Sequence, residues 1–331
     1  MKFKPLDFTR LKTYSLSSRK SKVESSFSAK AIAPGISFAG FLDSLPEILG
    51  AKDLKAVARS IADAKRGGNT VILGMGAHVI KVGLTPVIID LMEKGIINAL
   101  AMNGACLVHD FEMAYQGKTS EDVDAEIGEG TFGMAEETGG YINAAIVKGV
   151  GEGLGLGASV GKAIAEGFTP AKEAVSGATG KGVSFKFPEK SLLAAAHRLK
   201  VPAMVHVAIG TDIIHMHPSC DGAATGEGSL RDFRTFCSVV SSMEGGVYIN
   251  LGSAIILPEA FLKAVTLARN LGSPLSKITT VNMDFIQSYR PNTNVVRRPT
   301  MKGGKGYSLT GHHEIMFPLL AAAVLEELNK S

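Results

Sequence analysis

The stretch "NTVILGMGAHVIKVGLTPVIIDLMEKGIINALAMNGACLVHD", residues 69–110, decides the fold. An apolar run leads into Gly74 and Gly76, a helical period follows from Gly83, a second apolar run ends at Asn103-Gly104, and a helix opens there. Continuous apolar strands are buried on both faces, and strands that alternate with helices are joined by crossovers, so the stretch reads as β-α-β-α of a parallel sheet. Upstream, "DLKAVARSIADAKRGG" from Asp53 is a periodic helix with a glycine cap. Downstream, "SLLAAAHRLK", "LRDFRTFCSVVSSMEG", "LPEAFLKAVTLARNLG" and "HEIMFPLLAAAVLEELNK" read as helices, with strands "PAMVHVAIG", "GVYINLGS" and "KITTVNMD" between them. The expected fold is α/β: a doubly wound, mostly parallel sheet with helices on both faces. Residues 1–48 form a basic arm, and residues 49–331 a single domain.

Composition narrows the function. The chain has 331 residues and a net charge of +4, but residues 1–30 hold eight Lys/Arg against Asp7 and Glu24, which leaves 27 basic and 29 acidic groups in the rest. That excludes a nucleic-acid groove on the main body. The opening segment lacks the apolar core of a secretory signal, and no run is long enough to span a membrane, so a cytoplasmic protein is expected. The arm is read as solvated or as clasping another subunit. Cys106, Cys220 and Cys237 show no C-x-x-C spacing, and no disulfide is expected.

In such sheets ligands sit beyond the carboxyl ends of the strands, at loops entering helix N-termini. Four of the five strand ends carry glycine or Asn-Gly, including Gly76, Gly104 and Gly252, where backbone can approach a ligand. Asp212, Asp284 and Asp110 stand at or near these ends, each either facing the crevice or capping a helix. Lys81 and Arg297, with Arg298, are the nearby cations suited to a carboxylate or phosphate. His215, His217 and Cys220, with His312-His313, offer metal-type donors, but polar substrate contacts outweigh a metal, and none is assigned. "GLGLGA" fits G-x-G-x-x-A at Gly153, Gly155 and Ala158, yet no clean strand precedes it, so it is read as a decoy; the segment 149–161 is left as either lid or packing helix. "SGATGKGVSFK", residues 176–186, lacks the P-loop spacing and reads as a surface turn or lid.

Taken in order, "NTVILGMGAHVIKVGLTPVIIDLMEKGIINALAMNGACLVHD", "LKVPAMVHVAIGTDIIHMH" and "HHEIMFPLLAAAVLEE" resemble the deoxyhypusine synthase family and its NAD-binding relatives. The resemblance covers roughly residues 50–330. It implies NAD as cofactor, held by Gly76, Ala77, His78, Lys81, Asn103, Gly104, Ala105, Gly252, Ser253, Asp284 and His312, and it places Asp212 where an acid holds a polyamine. The chain departs from the family at its catalytic lysine, whose loop reads "RPNTNVVRRPT" here, at its tryptophan, absent from this chain, and at its catalytic histidine, absent from "LGSAIILPE". "NGACLVHDFE" is more similar to the LOR/SDH branch, whose members resemble NAD-using ornithine cyclodeaminases.

The resemblance therefore implies an NAD-dependent enzyme, transferase-like or ammonia-lyase-like, that transiently oxidises a small amine or amino acid to an imine without covalent transfer to a lysine. Asp212 and His217 would bind substrate with Arg297, and His109 or His215 would move the proton, with Asp110 orienting His109. A homotetramer is implied. The alternatives are a non-catalytic NAD sensor and a zinc hydrolase built on His215, His217 and Cys220.

Overall fold

The computed structural model describes residues 3–170 and 182–330. The chain runs through α1 (Phe38–Ser44), α2 (Leu49–Arg66), β1 (Val71–Met75), α3 (His78–Lys81), α4 (Thr85–Glu93), β2 (Ala99–Asn103) and α5 (Gly104–Gln116). Next come α6 (Val123–Glu126), α7 (Glu136–Gly151), α8 (Leu156–Glu166), α9 (Leu192–Leu199), β3 (Ala203–His206), α10 (Gly222–Ser241) and β4 (Val247–Leu251). The last part comprises α11 (Ile256–Asn270), β5 (Thr279–Asp284), α12 (Tyr289–Pro291), a π-helical turn (Asn292–Arg297), β6 (Lys305–Thr310) and α13 (His313–Asn329).

All six strands are parallel, in the order β3-β2-β1-β4-β5-β6. The first three strands are laid down in one direction and β4 returns to the far side of β1, so the order reverses between β1 and β4. This is the doubly wound arrangement in which crevices form at the reversal. The expected fold class holds.

Alternate strand residues serve two cores. Leu73, Met75, Leu100, Met102, Val205, Ile249 and Leu251 pack with α2, α4, α5 and α13 side chains, whereas Ile72, Ala99, Ala101, Met204 and Tyr248 meet Phe236 of α10 and Phe261 of α11. Two buried faces explain why these strands lack a polar alternation. Tyr248 stacks on Phe261 with ring centroids 3.7 Å apart, and the ring fits because residue 74 is glycine: a Cβ there would lie 2.3 Å from the tyrosine hydroxyl.

The structure adds to the reading of the sequence at three places. β6 is a sixth strand, an edge strand with only Leu309 buried, so no apolar run announces it. β3 stops at His206, earlier than the run to Gly210 suggested. "GLGLGA" opens a packing helix: a Cβ at Gly157 would lie 2.1 Å from the Ala203 carbonyl oxygen, and one at Gly161 would lie 2.5 Å from that of Leu193. The glycines of α8 therefore bring the helix onto neighbouring backbone instead of a nucleotide. Most of "SGATGKGVSFK" lies outside the described residues.

In the arm, Phe3, Leu6, Phe8 and Tyr14 are exposed, and Leu42 of α1 is its first side chain in the core. Among the described residues no helix is long and apolar enough to cross a membrane.

Candidate functional site

The carboxyl edge of the sheet carries two neighbourhoods, and α3 contributes to both. Lys81 faces a cavity over β2 and β3, while His78 packs with groups from β5 and α13.

The cavity has a volume of about 350 Å³, within the range for a small-molecule site. Lys81, Asn103, Ala105, His109, Glu112, Glu121, His206 and Asp212 line it, together with Ile256 from the start of α11. Asn103 ends β2 and caps α5, its Oδ1 accepting from the Cys106 N–H at 3.0 Å. The Asp212 carboxylate lies against this helix start, since a Cβ on Gly104 would come within 2.3 Å of its Cγ. Glycine at 104 is required by that carboxylate.

Asp212 Oδ2 accepts from the Ala208 N–H at 2.9 Å, and the side chain makes no cap to the turn that follows it. Burial raises its carboxyl above the ordinary value, opposed by that N–H and by nearby His215. Neither Asp212 nor Lys81 forms an ion pair among the described residues. The cavity thus presents Asp212 and Lys81 without a direct ion-pair partner, beside the acidic residues Glu112 and Glu121 and with His215 near Asp212.

The opening of α5 holds a hydrogen-bonded chain. His109 Nδ1 is 2.6 Å from Thr119 Oγ1, which donates to Glu112 Oε2 at 2.5 Å, and Thr138 of α7 donates to Oε1 at 2.9 Å. Burial, with help from Lys81, pushes the His109 imidazole down to about 4, so the ring is neutral at pH 7.

Asp110 requires a correction. It does not face the crevice or orient His109: it is fully buried and accepts from Ser191 Oγ, Leu192 N and Leu193 N at 2.6, 2.7 and 3.1 Å, capping α9 from outside. Successive helix residues point about 100° apart, so His109 and Asp110 cannot share a face. Arg297 is also corrected. It is exposed and outside the cavity lining; Val296 beside it packs over Gly306 near the start of β6, and Pro299 is held by Arg269, which places this segment toward the opposite sheet edge.

His215 and His217 do not line the cavity. Both ring nitrogens of His215 are buried without partners, and His217 packs on Gly139 with Nδ1 bonded to Ser219 Oγ at 2.7 Å. Among the described residues no three His, Cys, Asp or Glu side chains converge as a metal site, so the set His215, His217 and Cys220 has no such geometry.

The second neighbourhood gathers Gly76, Ala77, His78, Gly252, Ser253, Asp284 and His312. Here too the expected chemistry changes. The Gly76 N–H donates to Leu251 O and the Gly252 N–H to Met283 O, so these two amides extend the sheet and are not free to hold a pyrophosphate. Ser253 Oγ accepts from Leu257 N, at the start of α11. Side chains supply the features a ligand would meet: Phe285 stacks on His312, and His78 and Phe285 edge onto His313. His313 is buried, with Nε2 3.4 Å from Asp284 Oδ1 and neither ring nitrogen hydrogen-bonded.

Four contributors escaped the sequence reading. Nothing in the sequence separates Glu112 and Glu121 from ordinary helix and loop charges, and Thr119 meets His109 only through the return of the chain after α5. His206 is the most informative. It pairs in register with Asn103 at the end of β3, is 7% exposed, and has Nε2 buried without a partner. Burial pushes its imidazole down to about 4. A histidine inside "MVHVA" was the available signal.

No family profile and no curated protein matches the sequence. Solved structures are similar in architecture. A putative LOR/SDH protein from Methanococcus maripaludis S2 is 17% identical with a TM-score of 0.49, over 85% of this chain and 69% of that one. A putative deoxyhypusine synthase from Entamoeba histolytica is 12% identical with a TM-score of 0.46, over 88% and 94%. AgrE in a ternary complex with ornithine and NAD+ is 16% identical with a TM-score of 0.48; the match covers 86% of this chain and 34% of AgrE. The chain likewise spans 32% of ArgZ, an arginine dihydrolase from cyanobacteria.

Proposed function

We propose that the chain is an NAD-dependent enzyme acting on a small amine or amino acid. One observation carries the reading: a cavity lined by Asp212 and Lys81, neither of them in an ion pair among the described residues, opens at the carboxyl edge, with Ile256 linking it to the β1/β4 reversal. Opposite charges set into one small cavity complement a zwitterion, whose ammonium meets Asp212 and whose carboxylate meets Lys81. A diamine would use Asp212 alone.

NAD fits this edge through side chains. His78, Asp284 and His312, with Phe285 and His313, would hold it over β4 and β5, and Asn103, Gly104 and Ala105 would border the end that reaches the cavity. When bound, NAD supplies a hydride acceptor for the amine-bearing carbon of the substrate. The protein's own groups orient and shield: Asp212 fixes the amine, Lys81 the carboxylate, and neutral His109 stands by to take a proton. Residues 289–299 contain no lysine, so covalent transfer to a protein amine is not part of the proposal.

The test begins with heat-denatured protein, which should release NAD detectable by absorbance and mass. Asp212→Ala should weaken amine binding about 10- to 100-fold, the range of a charge-assisted contact, without lowering NAD content. Gly104→Ala, which displaces the carboxylate without removing it, should act in the same direction. Lys81→Gln should weaken amino acids and spare diamines of equal length. Protein that neither releases nor takes up NAD in calorimetry, or an Asp212→Ala variant that binds amines as the wild type does, would end the reading.

A further inference from the structure

We infer that Thr119 and Glu112 hold His109 as its Nδ1-protonated tautomer, so that the Nε2 lone pair is offered to the cavity as an acceptor. The use made of that lone pair rests on the cavity being the ligand site; the tautomer itself does not.

An ionised carboxylate only accepts hydrogen bonds, and Glu112 receives one hydroxyl at each oxygen, from Thr119 and from Thr138. Threonine has a single hydroxyl proton, and Thr119 directs it to Glu112. Toward His109 the same oxygen can only accept, so the proton on that 2.6 Å contact belongs to Nδ1. In a neutral imidazole the other nitrogen then carries the lone pair. Nε2 has no partner among the described residues, and the ring lines the cavity.

The geometry is built from two separate parts of the chain. His109 and Glu112 are three residues apart on one face of α5, and Thr119 arrives from the segment after the helix to close the gap. Thr119 and Glu112 are therefore positioning residues, acting on a ligand only through His109. An acceptor at Nε2 suits the N–H of an amine and would disfavour an ether or carbonyl in that place.

The experiment is two-bond proton–nitrogen correlation NMR on full-length protein with 15N-labelled histidine, without cofactor or substrate, so its outcome is independent of the NAD reading. His109→Asn assigns the signal by its loss. The wild type should show protonated Nδ1 and bare Nε2. Thr119→Val and Glu112→Gln should lose that preference, and Thr119→Ser, which restores a hydroxyl, should keep it. A protonated Nε2 in the wild type, or an unchanged tautomer in both Thr119→Val and Glu112→Gln, would overturn the inference. If Thr119→Val fails to fold, the wild-type spectrum with Thr119→Ser and Glu112→Gln decides.

Discussion

Asp110→Ala should destabilise the protein by about 4 kcal/mol, since each buried donor left unsatisfied costs about 1–3 kcal/mol and three donors lose their acceptor. The Ser191 hydroxyl can turn elsewhere, but Leu192 N and Leu193 N are first-turn amides of α9, which the helix itself leaves without an acceptor. The expected fall in melting temperature is on the order of 10 °C. The effect should spread, because α9 leads directly into β3 and so helps to place His206. His109→Ala, one residue earlier but lining the cavity, should move the midpoint far less. Thermal or urea unfolding of both variants measures the contrast, and equal losses would show that the buried cap has been misjudged.

A second and less obvious effect concerns acid. Burial pushes the His109 and His206 imidazoles down from 6.5 to about 4, and it pushes up from 3.8 to about 6 the carboxyls of Asp110 and of Asp232, a buried α10 residue that accepts from Gly157 N and Val205 N. For the histidines the folded value is depressed, so the stability present above pH 6.5 is lost as pH falls toward 4. For the carboxyls the folded value is raised: their contribution is full below pH 3.8 and is lost as pH rises through 6. Each shift of about 2 units corresponds to roughly 3 kcal/mol. Between pH 6.5 and 4 the two pairs oppose each other and leave little net slope. His206→Phe, which keeps an aromatic ring against Phe236, removes one histidine from this balance. Relative to the wild type the variant should gain about 3 kcal/mol as pH drops from 6.5 to 4. Asp110→Asn should lose stability relative to wild type over the same interval. Denaturant midpoints at several pH values give the answer, and a His206→Phe difference that is flat with pH would refute the assignment.

The fold was largely legible because burial on both faces writes itself as continuous apolar runs, seen in "VILGM" and "VYINL". β6 was not, because an edge strand with one buried residue has no such signature. Part of the cavity lining was legible around the strand ends: Lys81, Asn103, Ala105, His109 and Asp212 do line one cavity. His206 was hidden by reading β3 as running on to Gly210, which placed the ligand-facing end too late. The pairing of His109 with Asp110 ignored helix geometry, under which the partner on the same face is three residues on, at Glu112. Thr119 lay beyond such reasoning, since only the path of the chain after α5 brings it back. Glycine at 76 and 252 suggested free amides, yet both serve the sheet, because the strand pairing that creates the edge continues through them.

The central pairing of Val71 with Val247 has a consequence for biogenesis. β1 is synthesised early, yet its neighbour emerges only after most of the chain has left the ribosome, so the middle of the sheet stays open on one side throughout that interval. Non-local parallel pairing of this kind makes for slow maturation and prolonged exposure of sticky edges during translation. Yield in a heterologous host should accordingly depend on growth temperature and chaperone supply more steeply than the finished molecule's stability would suggest.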